Sequence, residues 1–256
     1  LEDTIKDHIN LSSLPKGYQQ EIRFLLNYLN DFKLSTLKVD ISKQKFGYAS
    51  VQMLNKLVLE KRNNGDTLLF FSKLSLLESY ISICKGITKM KFNFVAVGAT
   101  DFALSGMYHP LVAEAVKNSI GVKGHVILIT GANMSGKSTL LTTIGLCVYL
   151  GHIGLPIPAQ EGHIPFYEHI SIHINHSDDL KNGYSHFMNE IMHLKNVVLE
   201  AKKGKKCFTI FDELFKGTNP EDALAISKAA ILGLQKITNS LFFISTHLGD
   251  LKEEIM

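Results

Sequence analysis

Val126-Ile127-Leu128-Ile129-Thr130-Gly131-Ala132-Asn133-Met134-Ser135-Gly136-Lys137-Ser138-Thr139 decides the fold. Its first five residues are a short apolar run of strand type, bounded by a glycine. The next eight match G-x-x-x-x-G-K-[ST] in full, and a helical stretch from Lys137 to Leu150 follows. Gly131 and Gly136 permit a tight loop whose backbone N–H groups point inward at an anion. Lys137 adds a positive charge for β and γ phosphates, Ser138 offers a hydroxyl to Mg²⁺, and the helix contributes its positive N-terminal end. Gly131, Ala132, Asn133, Met134, Ser135, Gly136, Lys137, Ser138 and Thr139 are therefore the expected cradle for a nucleotide triphosphate.

Outward from this loop, short apolar runs alternate with helical stretches. Strands are expected at Phe92–Val97, His125–Thr130, Ile170–Ile174, Lys206–Phe211 and Ser240–Ser245. Helices are expected at Lys137–Leu150, Asp179–Ala201, Pro220–Leu234 and Gly249–Ile255. The alternation implies an α/β domain over residues 91–256, a P-loop NTPase sheet flanked by helices. Residues 1–90 read as an all-helical segment. Ile22, Leu25, Leu26 and Leu29 fall at helical spacing, Val51–Leu59 repeats the pattern, and Asn63-Asn64-Gly65-Asp66 breaks it. Leu68–Ile83 is apolar on most faces, as expected of a helix buried in a bundle.

The second chemical feature is an acid pair. Cys207-Phe208-Thr209-Ile210-Phe211 runs into Asp212-Glu213. At the end of a strand beside a phosphate loop, Asp212 suits Mg²⁺ held through water. Glu213 can take a proton from an attacking water, which favours hydrolysis over simple binding. His247 follows the last expected strand, where open α/β sheets place their ligands, and a neutral imidazole there can bond a γ-phosphate or the water.

The bulk numbers exclude little. Of the 256 residues, 45% are hydrophobic and 20% charged, which places the chain among globular proteins rather than disordered ones. A net charge of +3 neither requires nor excludes nucleic acid. Cys84, Cys147 and Cys207 are too scattered for a zinc site or a disulfide framework and suit a reducing, cytoplasmic setting. No apolar run reaches the about 18 residues that span a bilayer, so no membrane contact is expected. The basic run Lys202-Lys203-Gly204-Lys205-Lys206 is read as a solvated turn.

Several segments together resemble one family. The loop Thr130–Thr139 is similar to the MutS pattern TG-x-NM-x-GKST, whose Asn-Met pair is its most specific part. His109-Pro110-Leu111-Val112 and Ile157-Pro158-Ala159 resemble the family's segments on either side of the loop. Ser185-His186-Phe187-Met188-Asn189-Glu190 resembles its Ser-Thr-Phe-Met-x-Glu segment, with His186 in place of the usual Thr. Asp212-Glu213-Leu214-Phe215-Lys216-Gly217-Thr218-Asn219 resembles Asp-Glu-x-x-x-Gly-Thr, and Ser245-Thr246-His247 resembles a closing Ala-Thr-His.

The resemblance implies a Mg²⁺-dependent ATPase working as a head-to-tail homodimer. Read from the residues alone, Ser185 either caps the helix that follows it or offers its hydroxyl to an anion. The resemblance implies that it approaches the partner's γ-phosphate and that Gly217–Asn219 lines the dimer interface. It also implies coupling to DNA, in mismatch repair or related maintenance, through parts of a longer parent protein. The stretch before the loop, Ala115-Val116-Lys117-Asn118, lacks the aromatic residue that stacks adenine in the bacterial repair proteins, leaving Asn118 to touch base or ribose. The wording around the acid pair points to a divergent branch. An ABC-type ATPase shares the loop, the acid pair and the late histidine, but its Leu-Ser-Gly-Gly-Gln segment should precede the acid pair. Ala103-Leu104-Ser105-Gly106 instead precedes the loop. A nucleotide-gated clamp with little turnover is the non-enzymatic reading.

Overall fold

A computed structural model describes residues 10–43, 46–132, 134–174, 186–215 and 219–246. The chain divides into two compact units, residues 1–86 and 87–256.

The first unit is helical. Helix α1, Lys16–Asp31, buries Ile22, Leu25, Leu26 and Tyr28, a 3.6-residue stripe. Helices α2 (Leu34–Ser42), α3 (Tyr48–Asn63) and α4 (Asp66–Met90) follow. The Tyr28 and Phe70 rings stack at 4.3 Å, and the Tyr28 hydroxyl meets Thr67 Oγ1 at 3.0 Å. Lys73 Nζ donates to Glu21 Oε1 at 2.7 Å.

The structure corrects the expectation that α4 is buried in a bundle. Phe70 is its one buried residue among those described, whereas Leu68, Leu69, Phe71, Ile81 and Ile83 are exposed. Its apolar residues are spread around the helix, so one contact with α1 covers only a stripe of them. The helix is also 25 residues long with a mean hydropathy of 1.3 over its most apolar window, enough in length and composition to cross a membrane. Ser, Lys, Glu, Gly and Thr interrupt its apolar runs, so no single run is that long.

The second unit is mixed α/β with two sheets. One is mixed, ordered β1-β5-β2-β3, from β1 (Ala96–Val97), β5 (Glu161–Ile164), β2 (Phe102–Met107) and β3 (Asn118–Val122). The other is ordered β4-β8-β7-β6, from β4 (Val126–Thr130), β8 (Leu241–Thr246), β7 (Cys207–Phe211) and β6 (His169–His173). Every neighbouring pair in this second sheet is parallel. Helices α5 (Lys137–His152), α6 (His186–Lys202) and α7 (Pro220–Gln235) complete the unit.

Strand alternation explains the layering. Phe208, Ile210 and Phe243 point into one core with Leu141, Ile144, Cys147 and Val148 of α5 and with Phe102, Leu104 and Met107 of β2. Phe211, Phe242 and Ile244 point the other way, into a core with Val197 of α6 and Ala223, Ile231 and Leu234 of α7. The parallel sheet is thus covered on both faces, so its strands read as continuous apolar runs. Helix α5 packs very close: a Cβ added at Gly145 would stand 3.0 Å from Ile172 Cδ1 and 3.2 Å from Ile210 Cδ1.

The stretch expected as a strand at Phe92–Val97 is paired mainly at Ala96–Val97. Upstream, Asn93 makes an isolated bridge to Ile157, and Phe94 is exposed. Strands β2, β3 and β5 were not expected. The helix expected at Gly249–Ile255 and residues 179–185 of the Asp179–Ala201 helix lie outside the described residues.

Candidate functional site

Because β4, β8 and β7 run parallel, their carboxyl ends emerge at one edge of the sheet. Thr130 is in register with Thr246, and Phe211 with Ile244. The glycine loop leaves β4 at this edge and the acid pair leaves β7 at the same edge, with β8 between them.

The loop turns on left-handed backbone. Gly136, the residue before α5, has φ 91°, which suits glycine because it has no Cβ to clash. Met134 also takes a positive φ, 62°, and is fully exposed at 104%. A non-glycine residue held there is strained. Lys137 is only 8% exposed. Its Nζ donates to Gly131 O and Ala132 O, both at 2.8 Å, folding its charge over the loop. Ser138 is half-buried in the first turn of α5 and Thr139 is exposed. Their carbonyls accept from the Thr142 and Thr143 hydroxyls, each at 2.7 Å.

The acid pair is anchored on three sides. Asp212 N–H donates to His173 O at 3.0 Å, extending the β6–β7 ladder by one rung. Asp212 is 7% exposed, and its Oδ1 accepts from Ser245 Oγ at 2.5 Å. The Glu213 N–H donates to the same Ser245 Oγ at 2.8 Å. Glu213 and Phe215 both have positive φ, 57° and 64°, so the chain turns sharply after the pair. The Phe215 N–H donates to Glu190 Oε2 at 2.9 Å, and Glu190, on α6, is 2% exposed. A buried carboxylate accepting a backbone N–H makes a charge-assisted bond.

Next to the pair, the His173 ring stacks on Phe211 at 5.4 Å and lies 4.0 Å from the His193 ring of α6. His173 Nε2 and Ser171 Oγ are 2.7 Å apart. Burial pushes the His193 pKa below its ordinary value.

The structure therefore brings together Gly131, Ala132, Met134, Ser135, Gly136, Lys137, Ser138, Thr139, Asp212 and Glu213 at one sheet edge. Asn133, Ser185, His247 and the segment Lys216–Thr218 lie outside the described residues. Asn118 begins β3, at an edge of the other sheet, and its amide donates to Val116 O at 3.1 Å. Ser245 and Glu190 carry roles that sequence reasoning did not assign. The available signal was a hydroxyl following Leu241-Phe242-Phe243-Ile244 and an acid inside an amphipathic helix. Among the described residues no group of three or more His, Cys, Asp and Glu stands ready to hold a metal unaided. Ser138 and Asp212 could share one with an anion. Mg²⁺ is commonly held in this way, by one or two side chains plus phosphate and water.

Fold and site define a mixed α/β protein whose glycine loop and acid pair share the carboxyl edge of a parallel sheet. Residues 127–256 match the family model described as MutS domain V. The DNA mismatch repair protein MutS of Shouchella clausii is 30% identical over 235 residues, 86% of this chain and 25% of that protein. The MutS of Bacillus cereus strain ATCC 14579 is 30% identical over 188 residues, 70% of this chain and 21% of that protein. That of Bacillus velezensis is 35% identical over 151 residues, 56% and 17% respectively. The chain belongs to the MutS family, and it spans a quarter or less of the length of these relatives.

Proposed function

We propose that this chain is an ATP-binding and ATP-hydrolysing module with a P-loop NTPase fold, completed by dimerisation and coupled to DNA mismatch repair or related DNA maintenance. One observation carries the reading: Lys137 on its loop and the Asp212–Glu213 pair emerge on either side of β8, at one edge of one parallel sheet. In open α/β sheets, ligands bind outside the carboxyl ends of strands. The relatives' name, DNA mismatch repair protein MutS, supports the coupling to DNA.

The residues present fit ATP and Mg²⁺. The loop is anchored by small residues and one buried lysine, and the nearby acids are too few to cage a metal without phosphate oxygens. Bound ATP·Mg²⁺ supplies a terminal phosphoryl group polarised for attack by water. Lys137 would exchange its two loop carbonyls for β and γ oxygens, and Ser138 and Asp212 would hold the metal, Asp212 through water. Glu213 would orient the attacking water and accept its proton at the carboxylate. His247 would bond the γ-phosphate, and Ser185 of a second copy would close the site. The module would work in the cytoplasm.

The ABC-type alternative gains no support from Ser105 and Gly106, which lie within β2 of the mixed sheet. Two variants test the proposal. Lys137→Ala should abolish binding of a fluorescent ATP analogue, and retained tight binding refutes the assignment. Glu213→Gln should keep binding but lose turnover. Equal turnover in wild type and Glu213→Gln makes the protein a nucleotide-gated clamp instead.

A further inference from the structure

The buried hydroxyl between the two acids has a task beyond filling space. Ser245 is 0% exposed and sits one residue from the end of β8, directly after Ile244, the residue in register with Phe211 at the end of β7. Its preceding neighbours Leu241, Phe242, Phe243 and Ile244 are all apolar. A hydroxyl buried at the end of such a strand is costly unless it is fully bonded. Here it is bonded on both sides: Ser245 Oγ donates to Asp212 Oδ1 at 2.5 Å and accepts from the Glu213 N–H at 2.8 Å. One atom therefore ties the side chain of the first acid to the backbone of the second, at a point where Glu213 must adopt φ 57°.

We infer that Ser245 is a positioning residue for the metal arm of the site, clamping the Asp212 carboxylate and the Glu213 turn in one fixed relation. This rests on the proposed nucleotide reading and extends it. With Oδ1 engaged by Ser245, Oδ2 would be the oxygen left to hold the metal, and the carboxylate cannot turn to another rotamer without breaking a buried bond. The same hydroxyl keeps the Glu213 N–H satisfied and the turn in place, which sets where the Glu213 carboxylate can reach. Residues that orient metal-holding carboxylates commonly change metal affinity by about 10-fold to 100-fold when removed. Ser245 makes no contact with the nucleotide in this scheme, so metal-free nucleotide binding does not depend on it.

Ser245→Ala removes the hydroxyl and almost nothing else, and Ser245→Thr retains it. On the 256-residue chain, fluorescent ADP binding is titrated with magnesium and, separately, in EDTA. In parallel, amide exchange at Glu213 is followed by NMR without nucleotide. The expected result for Ser245→Ala is a rise of about 10-fold in the magnesium concentration at half-effect. Its EDTA binding should stay at the wild-type level and its Glu213 amide should exchange faster. Ser245→Thr should restore both signals. A wild-type magnesium midpoint in Ser245→Ala overturns the inference. So does loss of EDTA binding in parallel with magnesium-supported binding, since that marks a general collapse of the site. If the wild-type chain binds no nucleotide under any condition, the proposed function itself fails and this inference falls with it.

Discussion

At the scale of single residues, the polar side chains at this edge are held by their neighbours. Lys137 illustrates this, folded onto two carbonyls of its own loop, and Asp212 does too, fixed by Ser245. His193 is a different case. Its imidazole lies 4.0 Å from that of His173, and burial pushes its pKa down, so the folded protein favours the neutral form. The unfolded chain then binds more protons at mildly acid pH. The stability contributed by neutral His193 is complete above the ordinary histidine value of about 6.5 and fades as pH falls below it. The thermal midpoint should fall between pH 7.5 and 5.5, and it should fall less in His193→Leu. Differential scanning fluorimetry across that range measures it, and identical slopes would show that the pair does not couple to folding.

At the scale of elements, the strands of the parallel sheet were readable in advance and most of those of the mixed sheet were not. The runs Val126–Thr130, Cys207–Phe211 and Leu241–Ser245 are apolar at almost every position because both faces of their sheet are covered. Their ends also placed the loop and the acid pair. Strands β2, β3 and β5 contain Phe102-Ala103-Leu104-Ser105-Gly106-Met107, Asn118-Ser119-Ile120-Gly121-Val122 and Glu161-Gly162-His163-Ile164, with glycine in each and few β-branched residues. Long-range pairing makes them strands, against weak local preference. Ser245 and Glu190 were illegible as site residues for a similar reason: their partners, Asp212 and Phe215, are 33 and 25 positions away.

Glu190 joins two elements, fastening the turn after the acid pair to α6. Removing its carboxylate leaves the buried Phe215 N–H without an acceptor, which should cost about 1–3 kcal/mol. Glu190→Leu should lose that much in chemical denaturation. Glu190→Gln keeps an acceptor oxygen and should lose clearly less. Equal losses would place the effect in packing rather than in the bond to Phe215.

At the scale of the whole molecule, the proposed site is shared between copies, and complementation decides whether it is. In a head-to-tail dimer each site takes Glu213 from one chain and Ser185 from the other. Ser185→Ala and Glu213→Gln should each be slow alone. Mixed in equal amounts, random pairing makes half of the dimers mixed. In each mixed dimer one site carries both defects and the other carries neither. ATP turnover should therefore recover to about a quarter of the wild-type level. If Ser185 serves the site of its own chain, every site in the mixture carries one defect, and mixing gives only the average of the two slow rates. The same experiment separates a capping role from a contact in trans, because a serine that only caps α6 is not rescued by a partner's intact copy.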